Sequence, residues 1–223
     1  MQDTRIAAII EAATRLFIQQ GYSKTQISHI AKAIGVSVGT IYHDFAGKEE
    51  IMHFILKCTI EPDFINRDFE KPITDELFDN LENEIVETFK YSADGFAENL
   101  NNVGITYSFE NLISDSFDIL SEFAAGCLFI EKNQLDCKRL ARYYKEYRKC
   151  FFDTMKQYIN NFIDNGIVRP LKNTELTVTL IIEILSWWAM DRKYTSFETL
   201  DIPIEQAKDI CLDNIISAYQ LKG

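Results

Sequence analysis

The sequence is poor in the residues that break helices and strands. It has only four prolines and nine glycines in 223 residues. Since tight turns rely on these two residues, their scarcity argues against a protein built from many short strands. No run of about 18 consecutive apolar residues is present, which excludes a membrane-spanning helix of the usual kind. The amino terminus has no basic stretch followed by an apolar core, so no secretory signal is expected.

Residues that build metal or redox sites are also few. The five cysteines are odd in number and never spaced as a Cys-x-x-Cys pair, a pattern typical of reduced thiols in a cytoplasmic protein. Only three histidines occur. Glu50 and His53 form a single Glu-x-x-His step, whereas helical di-iron enzymes need two such steps and two further glutamates. We therefore expect no catalytic residues, no metal and no cofactor.

Positive charge is scarce overall but unevenly distributed. The formal net charge is −11, which repels polyanions and argues against general coating of nucleic acid. Residues 1–58 nevertheless carry six basic and five acidic side chains, so nearly all of the excess negative charge lies after them. If any part of the chain contacts DNA, it is this amino-terminal part.

Apolar residues at three- and four-residue steps predict a helix over residues 3–20, which Gly21 would terminate. A second short helix is expected over 26–34 with Thr25 as its N-cap, and a third over 38–45 with Ser37 as its N-cap. The three residues 35–37, Gly-Val-Ser, form the turn between them. Two short helices joined in this way predict a helix-turn-helix, whose second helix enters the major groove of DNA.

The rest of the chain also has helical periods. A fourth helix is expected from residues 47–48 to 58, a loop over 61–71, and further helices over 75–93, 135–164 and 174–194 and from 203 onward. Residues 96–131 have an interrupted helical pattern. No segment alternates with period two for long enough to indicate a strand. The predicted fold class is therefore all-α.

The start of the third helix is suited to DNA contact. Small residues there allow close approach to phosphates and base edges, and Tyr42 and His43 offer a phenol and an imidazole for phosphate oxygens or bases. Lys48, at the start of the next helix, can neutralise one further phosphate.

These residues resemble a known family. The matching run is Ala12-Ala13, Leu16-Phe17, Gly21-Tyr22, Thr25, Ile30-Ala31, Gly35-Val36-Ser37, Gly39-Thr40-Ile41-Tyr42-His43-Asp44-Phe45 and Lys48-Glu49. It closely resembles the DNA-binding domain of the TetR family of bacterial transcriptional regulators. The resemblance covers about residues 5–52. The remainder matches only loosely, in the order of its helices and in the break at residues 166–170.

The resemblance implies an amino-terminal three-helix helix-turn-helix DNA-binding domain, residues 1–47, and a carboxy-terminal helical-bundle domain for ligand binding and dimerisation, residues 48–223. It further implies a homodimer that binds a palindromic operator of double-stranded DNA, usually as a repressor, and is released by a small molecule. Carried over position by position, the DNA-contact candidates are Thr25, Ser37, Val38, Gly39, Thr40, Tyr42, His43 and Lys48. Asp44 departs from the family pattern, where Tyr or His is usual. Either its carboxylate turns away from the DNA or it accepts from a cytosine amino group.

The carboxy-terminal part is rich in aromatic residues. At helical spacing such residues are most often core, but some could line an apolar cavity for a small hydrophobic or amphipathic effector. The candidates for that cavity are Phe89, Phe109, Tyr147, Phe151, Met155, Trp187 and Trp188. Residues 176–188 are apolar on nearly all sides, which predicts a helix with one side facing the cavity and another in a dimer interface. The interface candidates are Leu180, Ile184, Ile204, Ala207, Cys211, Ile215 and Ala218.

Two alternatives remain open from the residues alone. Lys138, Arg142, Lys145 and Lys149 form a basic stripe that is either a solvated helix face or a site for an anionic ligand group. The whole chain could also be a helical enzyme, a ligand-binding protein, or a scaffold with a vestigial helix-turn-helix that is controlled by a protein partner.

Overall fold

The computed structural model describes residues 4–197 and 202–221. The first four helices are α1 (Thr4–Gln19), α2 (Ile27–Ile34), α3 (Val38–Asp44) and α4 (Lys48–Ile60). They are followed by α5 (Leu81–Ala97), α6 (Phe109–Glu122), α7 (Ala124–Lys132), α8 (Lys138–Asp164), α9 (Thr174–Ser186), α10 (Arg192–Tyr194) and α11 (Ile204–Tyr219). The described residues contain isolated β-bridges but no strand, so the all-α prediction is confirmed.

The start of α2 differs from the prediction. The N-cap is Gln26, not Thr25, and the Gln26 backbone N–H donates to Nδ1 of His29 at 3.3 Å. The Thr25 hydroxyl instead donates to the carbonyl of Gly21 at 2.8 Å. It also accepts from Gln20 Nε2 at 3.0 Å, so Thr25 holds the α1–α2 turn together.

The expected loop between α4 and α5 is partly ordered. A short 3-10 turn, Pro62–Asn66, follows α4, and a second one, Asp75–Phe78, replaces the beginning of the helix predicted from residue 75. Phe78 and Leu81 are both buried while Leu77 is half exposed. Their spacing imitates a continuous helical face across a break, which is why the sequence pattern predicted one helix.

The first of two compact units consists of Met1–Thr88 and Ala125–Tyr143. Its core joins the inward faces of α1 to α4, including the fully buried Phe17, Ile30, Ile41 and Phe54. Burial of each such side chain contributes about 2 kcal/mol to stability. The ring of Phe17 meets those of Tyr22 and Phe129 edge-on, with centroids 5.2 and 6.0 Å away.

The second unit consists of Phe89–Ala124 and Tyr144–Gly223. Its aromatic residues pack against one another: Phe96 stacks on Phe151 with ring centroids 4.8 Å apart. The Tyr158 hydroxyl is buried and donates to the carbonyl of Phe96 at 2.6 Å. The two compact units are defined by which residues pack together.

The division into a DNA-binding domain, residues 1–47, and a ligand-binding and dimerisation domain, residues 48–223, concerns function and stays a prediction.

The helix predicted over 174–194 is interrupted. After α9 the backbone widens into a π-helical turn, Trp187–Asp191, before the single turn of α10. Such turns insert an extra residue and occur frequently at functional sites. The two tryptophans stand at this turn, with ring centroids 5.0 Å apart.

Candidate DNA-recognition site

Helix α3 has one buried and one exposed face. Ile41 within α3 and Phe45 directly after it have no exposed surface, so they fix the helix on the core. On the opposite side, Val38 is 39% and Tyr42 is 50% exposed, and the His43 side chain is 66% exposed. An apolar valine and a tyrosine that the core does not need are therefore presented to the surface from a seven-residue helix.

The turn before α3 has the expected form. Gly35 adopts a positive φ of 73°, a left-handed conformation that is unfavourable for residues with a Cβ atom. It terminates α2. Ser37 is the N-cap of α3, because its Oγ accepts from the backbone N–H of Thr40 at 3.1 Å. Gly39 has no local reason to be glycine: a Cβ there would meet only Oγ of Ser37, at 3.6 Å.

Two of the DNA-contact candidates, Thr25 and Lys48, make hydrogen bonds within the first unit. Thr25 is 1% exposed, and its hydroxyl bonds within the α1–α2 turn, so in this conformation it does not present that hydroxyl to the surface. Lys48 Nζ donates to the carbonyls of Tyr22 and Thr25, both at 2.9 Å, and lies 4.1 Å from the centroid of the Tyr22 ring. An ammonium group has three donors, so these two hydrogen bonds leave one N–H group outside them.

Asp44, the residue that departs from the family pattern, turns inward. Its side chain has no exposed surface, and its carboxylate pairs with both Arg5 and Lys71. Arg5 donates through Nε to Oδ2 and through Nη2 to Oδ1, the latter at 2.6 Å. Burial alone would raise the pKa of the Asp44 carboxyl, but hydrogen bonds from Arg5, His43 and Lys71 outweigh it and hold that pKa well below its usual range. Of the two alternatives that the sequence leaves open for Asp44, the structure therefore has a carboxylate that turns away from the exposed face of α3.

The α4–α5 connection holds the end of α3 through the backbone as well. The Ile73 N–H donates to the Asp44 carbonyl at 2.8 Å, and the Ala46 N–H donates to the Ile73 carbonyl at 2.9 Å. Together with the ion pair between Lys71 and Asp44, these bonds fasten the end of the exposed helix to a segment about 30 residues further along the chain. No sequence pattern indicated this contact.

Asn133, just after α7, is a second contact that the sequence did not reveal. Its Oδ1 accepts from the Tyr22 backbone N–H at 2.6 Å, and its Nδ2 donates to the carbonyls of Phe17 and Phe129 at 3.1 and 2.8 Å. The side chain is 3% exposed. It therefore fixes the α1–α2 turn from a position 111 residues away.

The effector candidates all fall in the second unit, where most of them contact other rings. Phe89 stacks on Tyr147 at 4.9 Å, and Phe109 meets Phe162 at 5.6 Å. Phe109 and Met155 have no exposed surface and Phe151 is 7% exposed, whereas Tyr147, Trp187 and Trp188 are partly exposed. Four of the seven effector candidates are therefore buried core residues: Phe89, Phe109, Phe151 and Met155.

A cavity of about 310 Å³ lies elsewhere, in the first unit, where α4, the start of α5 and the start of α8 meet. None of the effector candidates lines it. Its lining combines apolar side chains such as Met52, Leu56 and Leu140 with the charged Glu82 and Arg139. Those two charged groups already pair with each other at 2.9 Å.

The interface candidates divide into two groups. Ala207, Cys211 and Ile215 are at most 2% exposed within a single chain, so their assignment to a dimer interface is corrected: they face the core of their own unit. Leu180 is 53% and Ile204 36% exposed, Ala218 is exposed, and Ile184 is half-buried. Leu176 on α9 and Ile210 on α11 are also exposed, by 68% and 38%.

The remaining expectations concern charge, metals and membranes. Lys138, Arg142, Lys145 and Lys149 are all exposed on α8, and nothing in the described residues tests whether they bind an anion. Within residues 4–197 and 202–221, no group of three or more His, Cys, Asp or Glu side chains is placed to hold a metal ion. None of the helices in those ranges combines the length and the apolar character that a bilayer crossing requires.

Helices α2 and α3, joined by the three-residue turn at 35–37, form a helix-turn-helix within an all-α fold. The family model for bacterial regulatory proteins of the tetR family matches residues 9–54. The resemblance of this amino-terminal segment to the TetR family, seen in the sequence, is confirmed.

Individual relatives support the same class. The HTH-type transcriptional regulator HbdR of Aromatoleum sp. (strain CIB) is 45% identical over 53 residues, which are 24% of this chain and 23% of HbdR. The fatty acid metabolism regulator protein of Bacillus subtilis (strain 168) is 45% identical over 49 residues, 22% of this chain and 25% of that protein. The chain thus matches about a quarter of the length of these curated relatives.

The likeness of the fold extends further than the likeness of the sequence. The solved structure of the ketosteroid transcriptional regulator KstR2 of Mycobacterium tuberculosis aligns with 100% of this chain, and the alignment covers 98% of that chain. Its TM-score is 0.54 and its sequence identity 16%. At this identity the alignment shows a shared fold. The curated relatives named above are transcriptional regulators.

Proposed function

We propose that this protein is a ligand-responsive transcriptional regulator, a repressor that binds a palindromic operator as a homodimer. The observation that carries the proposal is the amphipathic placement of α3. Ile41 and Phe45 are buried, whereas Val38, Tyr42 and His43 face outward. A short helix anchored in this way can lie in the major groove, where residues at its amino-terminal end reach the base edges.

The side chains divide by the contacts that their chemistry favours. Tyr42 and Thr40 offer hydroxyls to phosphate oxygens, and Val38 offers methyl groups to apolar base edges such as the thymine methyl. Local packing does not require a glycine at position 39. Its lack of a side chain would instead allow DNA to approach the backbone closely. Lys48 supports the site mainly by holding the Tyr22 and Thr25 carbonyls, and its remaining N–H group is available to a phosphate.

Dimerisation is supported by exposed apolar side chains on α9 and α11. Leu176 and Leu180, one turn apart on α9, and Ile204 and Ile210 on α11 are exposed, and two-fold pairing of α9 and α11 in a four-helix contact would cover apolar side chains of this kind. Two copies of α3 would then address successive major grooves about 34–36 Å apart, which matches a palindromic operator.

The effector site is proposed in the second unit, where the candidates Tyr147, Trp187 and Trp188 are partly exposed. An apolar or amphipathic molecule there would enter between stacked rings such as Phe89 and Tyr147. If it bound better to the conformer whose recognition helices no longer fit DNA, it would release the operator by shifting that equilibrium.

The test is an electrophoretic mobility-shift assay on the DNA upstream of the gene that encodes this chain, with and without a panel of small apolar metabolites. A matched fragment of equal length and composition from a coding region is the control. The proposal predicts a retarded band with the upstream fragment alone and its loss with at least one metabolite. Equal binding to both fragments would contradict binding to a specific operator, and binding to neither would favour a scaffold whose helix-turn-helix is vestigial.

A further inference from the structure

His43 and Asp44 are adjacent on α3 but have opposite environments. The His43 side chain is 66% exposed, and the Asp44 side chain is wholly buried. The two meet through His43 Nδ1 and Asp44 Oδ1, which are 3.0 Å apart. A surface imidazole on the candidate DNA face is thus tied to a buried carboxylate behind it.

The other partners of Asp44 decide which group donates the hydrogen. Arg5 and Lys71 contact the same carboxylate, and both are obligate donors. Two adjacent cations favour the ionised carboxylate, which can only accept. The proton between His43 and Asp44 must therefore reside on Nδ1 of the imidazole. In the neutral ring the second nitrogen, Nε2, is then an acceptor.

We propose that Asp44 is a positioning residue that fixes the Nδ1–H tautomer of His43, so that Nε2 presents a hydrogen-bond acceptor to the major groove. The base groups that such an acceptor recognises are exocyclic amino groups, N4 of cytosine and N6 of adenine. It is mismatched with N7 and O6 of guanine, which are themselves acceptors. His43 is thereby a specificity-determining residue for a C or A at one position of each half-site. This inference rests on the proposed DNA binding, but the tautomer on which it depends does not.

The tautomer is tested first, without DNA. Long-range proton–nitrogen NMR spectra of the imidazole rings at about pH 8.5, well above the ordinary histidine pKa of about 6.5, distinguish the two neutral forms. The chain has only three histidines, and His29 supplies an internal contrast. His29 Nδ1 accepts from the Gln26 N–H, so its proton must be on Nε2. A His43→Ala sample identifies the His43 signals.

The expected spectrum has the proton on Nδ1 for His43 and on Nε2 for His29. In Asp44→Asn the neutral amide can donate as well as accept, so the Nδ1–H population of His43 should fall. A wild-type His43 protonated on Nε2, or a tautomer unchanged in Asp44→Asn, overturns the proposal whatever the protein does with DNA.

Base preference is tested next, by selecting bound sequences from a randomised duplex library. Wild type is expected to favour C or A at one half-site position and His43→Ala to lose that preference at that position alone. Asp44→Asn should relax the same position and have no further effect when combined with His43→Ala. Exposed Gln157 on α8 supplies the control variant, Gln157→Ala, which should match wild type. Because His43 is exposed, His43→Ala serves as the primary variant even if Asp44→Asn folds poorly.

A preference for G at that position, or relaxation spread evenly over the site, contradicts the assignment of an acceptor to Nε2. Absence of any sequence selection by the wild type contradicts the proposed function instead. In that case the NMR result still decides whether Asp44 sets the His43 tautomer.

Discussion

Arg5 and Asp44, 39 residues apart in the sequence, form a two-point ion pair that joins the start of α1 to the end of α3. The guanidinium uses two of its nitrogens on the two carboxylate oxygens, the geometry in which arginine binds carboxylates most strongly. Asp44 is fully buried, whereas the Arg5 side chain is 41% exposed.

Asp44→Asn should lower the free energy of unfolding by about 3 kcal/mol at neutral pH, because it breaks a buried ion pair. The folded-state pKa of Asp44 is depressed, so its ionised form stabilises the fold fully above the unfolded pKa of about 3.9. That contribution is lost as the pH falls below this value. Urea unfolding of both proteins should thus give a constant difference from about pH 7 to 5 and a shrinking one below about pH 4.

The matched control for this prediction is Asp68→Asn, at an exposed position in the α4–α5 connection. It should remain within about 0.5 kcal/mol of wild type, as surface substitutions usually do. A difference between wild type and Asp44→Asn that stayed constant down to about pH 3 would contradict the depressed pKa.

Lys48→Met retains most of the apolar stem and removes the ammonium group. Two carbonyls, those of Tyr22 and Thr25, would lose their donor, and the contact with the Tyr22 ring would be lost as well. We expect the free energy of unfolding to fall by about 2 kcal/mol. Lys24→Met, at an exposed position in the α1–α2 turn, should change it little. An unaltered stability for Lys48→Met would mean that these hydrogen bonds do not form in solution.

Lys48 also distinguishes a structural role from a DNA contact. If its remaining N–H group binds a phosphate, Lys48→Met should reduce the slope of log affinity against log salt by about 0.9. A purely supporting role would weaken binding at all salt concentrations and leave that slope unchanged.

Asn133→Ala should open the α1–α2 turn locally. The Tyr22 N–H and the Phe17 carbonyl would lose a partner in a buried site, which costs about 2–3 kcal/mol. Hydrogen exchange measured by mass spectrometry should show faster exchange in peptides containing Tyr22. Gln134→Ala, at the exposed neighbouring position, is the control and should leave exchange there as in wild type.

Leu180→Glu should convert the proposed dimer to monomers, because it places a charge among the exposed apolar side chains of α9, Leu176 and Leu180, that the proposed interface would bury. Sedimentation equilibrium would measure the change. Leu135→Glu is the matched control, since Leu135 is 84% exposed but lies in the first unit. A Leu180→Glu protein with the mass of the wild-type dimer would remove α9 from the interface.

Much of the helix-turn-helix could be predicted from the sequence because its signals are local. The helical spacing of Ile6, Ile9 and Phe17, the left-handed Gly35 and the Ser37 cap each depend on neighbours within a few residues. The contacts of Asp44 with Arg5 and Lys71 and of Asn133 with Tyr22 could not be predicted, because each joins residues that only the tertiary fold brings together.

The carboxy-terminal errors have a similar cause. Helix α11 has apolar residues on its inner and its outer side, and Ala207, Cys211 and Ile215 were assigned to the dimer although they are the inner set. Periodicity identifies a face of a helix but does not show what covers that face. The π-helical turn at Trp187–Asp191 was likewise invisible, since its residues continue the apolar pattern of α9.

The central claim, that the outer face of α3 contacts DNA, is tested most directly by introducing a carboxylate there. Fluorescence anisotropy would compare wild type, Val38→Glu and the control Leu135→Glu on the duplex from upstream of the gene, with circular dichroism to verify equal folding. Val38 is 39% exposed, so the substitution leaves the core intact, and a like charge facing phosphates and base edges should weaken binding on the order of 100-fold. Undiminished affinity of Val38→Glu would contradict the account.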